Sequence, residues 1–208
     1  MHTPAERKNP ARQRIYAAAL RLFAEKGATQ IGVSELATAA GVARGTIYNN
    51  LNDADALFEE VALQLIDEMT ERLMRCFVNV DDPAARMAIG VRHYVRRTHE
   101  EPDWGRFITR FAFSNRAMQG LWQAGPGENL TEGLNSGRYM LGVRQLRIVL
   151  GMVTGGVVTA MTSVLDGETT WRDAAGDTAE LVLVLLGIGA DEARRLATIE
   201  LPPLPTLE

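Results

Sequence analysis

The sequence predicts an all-α protein built as a small N-terminal three-helix head, a long connecting helix and a larger helical body. Three observations carry that prediction. Apolar residues recur at i, i+3 and i+4 through most of the chain, the period of a helix with one buried face. Glycine, proline and Asn/Asp/Thr capping residues cut that pattern into helix-length pieces. Charge is also unevenly shared. Residues 1–52 carry seven Lys and Arg against three acids, net +4, whereas residues 53–208 carry fifteen against twenty-three, net −8. A basic head on an acidic body suits a nucleic-acid partner held by the head alone, although the whole chain is mildly acidic.

Taken in order, residues 1 to about 9 read as a polar arm, with Arg7 and Lys8 available to phosphates. Asn9-Pro10 is a helix start, an N-cap followed by proline at the first helical position. The first helix places Ile15, Ala18, Ala19, Leu22 and Phe23 on one face and stops at Gly27. Residues 32–51 read as two short helices around a tight turn. Val33, Leu36, Ala37 and Ala40 face inward in the first, and Gly41 supplies the left-handed turn residue. The second begins near Ala43 or Arg44 and turns Ile47 and Leu51 inward. Its outer face carries Arg44, Thr46, Tyr48 and Asn49, donors with little apolar bulk, and Gly45 permits close backbone approach to phosphate. A helix-Gly-helix corner alone is common. The coincidence of turn glycine, inward apolar set and outward donor set points to a helix-turn-helix that reads the major groove of DNA.

Asp53 caps a long helix with an apolar stripe from Leu57 to Phe77, fit to transmit movement or simply to fill a core. Asp81-Asp82-Pro83 opens another helix, which ends near Glu100-Glu101-Pro102. An aromatic cluster follows: Trp104, Phe107, Phe111, Phe113, then Met118 and Trp122. Two readings stay open for it. It walls an apolar pocket for a small hydrophobic or aromatic ligand, with His93, Tyr94, His99 or Asn115 as polar fixers, or it fills a helical core. Gln123–Gly137, rich in Gly, Pro and Asn, reads as a loop followed by a short helix over residues 130–134. Residues 143–165 form a long apolar helix interrupted by Gly151, Gly155 and Gly156. Those glycines cost roughly 1 kcal/mol each against alanine, which suggests close approach of a helix or ligand. Thr170-x-x-Asp173 opens the next helix, apolar nearly all round over residues 181–186. A short helix from Ala190 to Glu200 and an extended Leu-Pro-rich tail finish the chain.

The run Arg14-Ile-Tyr-Ala-Ala-Ala-Leu-Arg-Leu-Phe-Ala-Glu-Lys-Gly27 and the pattern Val33-x-Glu35-Leu36-Ala37-x-x-Ala40-Gly41-Val42-x-x-Gly45-Thr46-Ile47-Tyr48 resemble the N-terminal signature of TetR-family transcriptional regulators. The resemblance covers roughly residues 12–62. It implies a dimeric, ligand-responsive repressor with residues 1–52 as the DNA-binding domain and residues 53–208 as the effector-binding and dimerisation domain. It also implies Arg44, Gly45 and Thr46 at the groove and Tyr48 and Asn49 on phosphates. By the same resemblance the last two long helices pair with their copies, through Val153, Val157, Met161, Val182, Leu185 and Leu186. Three positions depart from the family pattern. Gly32 caps the second helix without a side-chain acceptor, Ala43 replaces the usual turn serine, and Ala54 stands where a phosphate-binding lysine is common. One lost phosphate contact would flatten the salt dependence of DNA binding by roughly one unit.

No phosphate loop, nucleophile elbow or dinucleotide fingerprint is present, so neither an enzyme nor a cofactor is expected. Cys76, His93 and His99 lack metal-ligand spacing, and no metal is expected. The polar N-terminus, the single cysteine and the lack of an evident apolar run of membrane-span length lead to a cytoplasmic, membrane-free expectation. The expected partners are an operator in double-stranded DNA, a small hydrophobic or aromatic effector and a second copy of the chain. The alternative is a helical small-molecule-binding or catalytic protein whose head has lost DNA binding.

Overall fold

The computed structural model describes residues 9–51, 53, 56–114 and 116–206, without the side chains of residues 116, 117, 119 and 121–124. The expectations placed on Arg7, Lys8, Ala54, Asn115 and the Trp122 side chain lie outside the described residues. The fold is all-α, and it divides into two compact units, residues 1–65 and 66–208.

The first unit holds α1 (Pro10–Lys26), α2 (Val33–Ala40), α3 (Arg44–Asn50) and the first turns of α4 (Leu57–Cys76). Asn9 caps α1 by accepting from the Ala11 and Arg12 backbone N–H groups, with Pro10 at the first helical position. Gly27, with φ 67°, and Gly41, with φ 62°, end α1 and α2 in the left-handed conformation. Gly32 and Ala43 stand at the N-caps of α2 and α3 and offer no side-chain cap bond. Ile15, Phe23, Leu36 and Ile47 form the buried centre, and the Phe58 ring meets Phe23 edge-on at 5.1 Å. This contact carries the compact unit past the residue-52 boundary expected from sequence: the start of α4 is part of the head's core.

The second unit takes the rest of α4, then α5 (Pro83–Glu100), α6 (Pro102–Phe111), α7 (Arg116–Asn135), α8 (Leu146–Leu165), α9 (Trp171–Leu185) and α10 (Ala190–Thr198). A short 3-10 turn at Val143–Gln145 leads into α8. Asp82 and Thr170 cap α5 and α9 at the positions their sequence patterns imply. Helix α5 is the hub of this unit, packed by α6, α7, α8, α9 and α10.

Two sequence readings need correction here. Residues 116–135 form one helix rather than a loop and a short helix, although Pro126 sits inside it. Tertiary contacts override the local signal: Leu130 is buried, and Asn129 donates to the Pro83 carbonyl at 3.0 Å while accepting from Tyr139. Secondly, residues 143–165 are long and apolar enough to cross a membrane by length and composition. In the fold that helix is two-sided. Val149, Val153, Val157 and Met161 are buried against neighbouring helices, so much of its apolar content is core.

Candidate nucleic-acid interface and ligand cavity

Helix α3 is held from beneath. Ile47 is fully buried, Leu51 is buried just beyond it, and the turn into the helix is closed by Val42 N–H donating to the Ala37 carbonyl at 3.0 Å. With the inner edge fixed, Arg44, Gly45, Tyr48 and Asn49 are exposed and Thr46 is half-buried. Tyr48 is 66% exposed, unusually open for an aromatic ring. Among the described residues, a Cβ at Gly45 would meet nothing within 4 Å beyond its own helix, so none of them requires glycine there. All five sequence-predicted contact residues therefore share one short exposed surface.

A polar strut, missed at the sequence level, sets the far end of α3. Asn50 donates to the Thr46 carbonyl at 2.8 Å and accepts from the Asn9 side-chain amide at 2.8 Å. The residue that caps α1 thus also fixes the end of α3. The pairing spans 41 positions, and no local pattern announces it. On the other side of α1, the Tyr16 hydroxyl donates to Glu60, with Arg12 alongside. Burial first, then the Glu60 carboxylate, pushes the Tyr16 hydroxyl up to about 12, so it stays a neutral donor.

The body contains an apolar cavity of about 70 Å³ between the second half of α4, α5, α7 and α8. Leu73, Phe77, Met87, Val91, Val153 and Val157 supply apolar walls, and Arg86, Tyr94, Asn129 and Thr154 supply polar atoms. Among the described residues, Tyr94 alone of the pocket residues expected from sequence lines it. Trp104, Phe107, Phe111 and Met118 are packed solid in the core of the unit. Their 3–4 spacing fits either outcome, and here it serves packing: Trp104 lies under the Arg97 guanidinium at 4.5 Å and beside the Tyr94 ring. Phe113 is exposed.

His93 is not in the lining of this cavity. It lies 3.9 Å from the Cys76 sulfur and donates to the backbone of the C-terminal tail at Pro202. Burial, helped by Arg96, Arg92 and Arg72, brings its pKa down to about 4, so the ring is neutral at physiological pH. Cys76 donates to the Pro203 carbonyl, and burial pushes its thiol up. His99 is elsewhere, stacked on Trp171. Among the described residues no group of three or more metal-type side chains comes together.

The six residues expected at a dimer face lie mostly inside the single chain. Val153, Val157, Met161, Val182 and Leu186 are buried within the single chain, and Leu185 is half-buried. A side chain already covered by its own fold has little surface left for a partner. The exposed apolar positions on the same two helices are Ile148, Met152, Leu181 and Val184.

Comparison with known proteins agrees with this architecture. Residues 82–198 match the model of the tetracyclin repressor-like C-terminal domain, and residues 15–61 match that of the bacterial regulatory proteins of the tetR family. An HTH-type transcriptional regulator of Mycobacterium tuberculosis is 29% identical over 105 residues, 50% of this chain and 52% of the relative. The match thus spans about half the length of that relative. The HTH-type transcriptional regulator AcrR of Shigella flexneri is 46% identical over 50 residues, 24% of this chain and 23% of AcrR. Among solved structures, RolR in complex with resorcinol has a TM-score of 0.67 at 27% identity, covering 97% of this chain and all of the RolR chain. FadR from Bacillus subtilis in complex with stearoyl-CoA has a TM-score of 0.68 at 22% identity, covering 85% and 99%, a likeness of fold. With both its helix-turn-helix head and more than half of its length, as helical body, matched to the family's models, this chain belongs to the TetR family of bacterial transcriptional regulators.

Proposed function

We propose that this chain works as a homodimeric repressor in the cytoplasm, bound to a near-palindromic operator through α3 of each protomer and released by a small hydrophobic effector in the body cavity. One observation carries the reading: Arg44, Gly45, Thr46, Tyr48 and Asn49 form an outward donor face on a helix whose inner face is locked by Ile47. Two such helices about 34–36 Å apart would read successive major grooves. The dimer is supported by exposed apolar side chains on α8 and α9, with Ile148 and Met152 next to open glycines at 151 and 155. A flat apolar stripe of this kind fits a partner helix.

The cavity supports a small effector. By the volume one water needs, 70 Å³ holds on the order of five waters or a single small ring. The resorcinol held by RolR is of that size, whereas the stearoyl-CoA held by FadR is far larger. Helix α4 contributes Leu57–Leu65 to the head and Thr70, Leu73 and Phe77 to the cavity wall, so one continuous helix serves both units. Repression then rests on two states of different DNA affinity, with the effector favouring the weaker.

Fluorescence anisotropy on DNA from upstream of the gene tests the reading. Binding should be tight, weakened by salt and lost by at least tenfold in Tyr48→Ala, with an unrelated duplex bound feebly. Equal, feeble binding to both duplexes by the unmodified protein would overturn it.

A further inference from the structure

Two polar residues on the cavity wall have incomplete hydrogen bonds among the described residues, and they constrain what the ligand looks like. Arg86 reaches the cavity from α5 and Thr154 from α8. Among the described residues, the Nε and Nη2 atoms of Arg86 and the hydroxyl of Thr154 are buried and meet no hydrogen-bond partner. Glu132 lies close, with Oε1 2.5 Å from Nη2, but the pair is misaligned for a hydrogen bond. Leaving a buried donor unpaired is unfavourable, and a ligand acceptor that satisfies it recovers that cost on binding. Asn129, also on the cavity wall, is already committed to Pro83 and Tyr139.

Resting on the effector reading above, we propose that the cavity takes a neutral monocyclic phenol, its ring between Phe77, Val91 and Val157 and its oxygen at Arg86 and Thr154. An oxygen is required because only an acceptor completes Arg86, and a hydroxyl can also exchange a bond with Thr154. Neutrality follows from charge. Arg86 is the one charged residue on the cavity wall among the described residues, and Glu132 beside it already balances that charge. A carboxylate entering this apolar space would lose its hydration while competing with Glu132 for one guanidinium. An unsubstituted hydrocarbon fits the walls but leaves both polar groups unmet.

Calorimetric titration of the full chain with phenol, resorcinol, benzoate and toluene tests the assignment. Thr154→Val is the informative variant, because it keeps the side-chain shape and removes a hydroxyl that meets no partner among the described residues. Resorcinol or phenol should bind about tenfold or more tightly than benzoate and toluene. Thr154→Val should weaken phenol severalfold, leave toluene unchanged or tighter, and keep its melting temperature. Tighter binding of benzoate than phenol would overturn the proposal in favour of an anionic ligand. Equal binding of toluene and phenol, with no effect of Thr154→Val, would overturn it in favour of a site that reads shape alone; in both cases the effector cavity itself stands. No binding by any of the four, with stearoyl-CoA also failing to release DNA, would remove the small-effector reading together with this one.

Discussion

Gly45 is the residue at which fold and function make opposite demands. It sits in the first turn of α3, where glycine is roughly 1 kcal/mol worse than alanine, and among the described residues no atom beyond its own helix lies where a Cβ would go. Gly45→Ala should therefore leave the melting temperature equal or slightly higher while lowering operator affinity, because the new methyl occupies the space needed by the DNA backbone. Paired thermal melts and anisotropy titrations check this; a variant that binds DNA as tightly as the parent removes Gly45 from the interface. At this scale the sequence was informative where residue type and position jointly restrict the answer. Gly41 needed a left-handed turn, and Tyr48 stood out as an aromatic ring on a polar face. The aromatic cluster was ambiguous for a physical reason. A packed core and an apolar pocket select the same side chains, and only the packing of α6 distinguishes them. Arg86 and Thr154 on the cavity wall carried no signal, because an arginine and a threonine at helical positions are ordinary anywhere.

Helices α8 and α9 show what periodicity leaves undetermined in an element. Both are apolar over a wide arc, so hydrophobic spacing finds the helices but not which apolar side faces the chain's own core. Val153, Val157 and Val182 turn inward, and Ile148, Met152, Leu181 and Val184 turn out. The same limit explains α7: Gly125-Pro126-Gly127 reads locally as a break, and the burial of Leu130 with the Asn129–Pro83 bond outweighs it. The outward assignment makes a prediction about assembly. Leu181 is 69% exposed, so Leu181→Glu removes little from the folded single chain. Placed in an apolar two-helix interface, the new carboxylate is desolvated without a partner. Sedimentation equilibrium should show a dimer in the parent and a dissociation constant raised by two orders of magnitude or more in Leu181→Glu, with helix content unchanged by circular dichroism. Val182→Glu, by contrast, should unfold the body, since Val182 is buried.

Over the whole molecule, the charge division between residues 1–52 and the remainder marks out the same end that the family's N-terminal model matches, residues 15–61. The reach of the head to Leu65 was hidden, because the Phe23–Phe58 contact joins positions 35 residues apart. The C-terminal tail was legible as extended but not as a part of the fold. Residues 199–205 form a strap whose backbone carbonyls are gripped from α4 by Arg72 and Cys76, and from α5 by Arg92 and His93. The strap therefore ties together the same two helices that wall one side of the cavity. One of its four anchors titrates in an accessible range. His93 has an ordinary pKa near 6.5 and is held at about 4 in the fold, so the unfolded chain takes up a proton that the folded chain refuses. The stability associated with its neutral ring is complete above pH 6.5 and is lost as pH falls toward 4, on the order of 3 kcal/mol across the full interval. Melting curves from pH 7.5 to 5 should show a fall in melting temperature that is shallower in His93→Asn, whose amide also donates but takes no proton. Reaction of Cys76 with a disulfide reagent should quicken over the same fall in pH, relative to the thiolate chemistry of a free cysteine, as the Pro203 carbonyl leaves the sulfur. Parallel pH slopes in the parent and His93→Asn would show that carboxylates elsewhere, and not this anchor, set the acid limit of the fold.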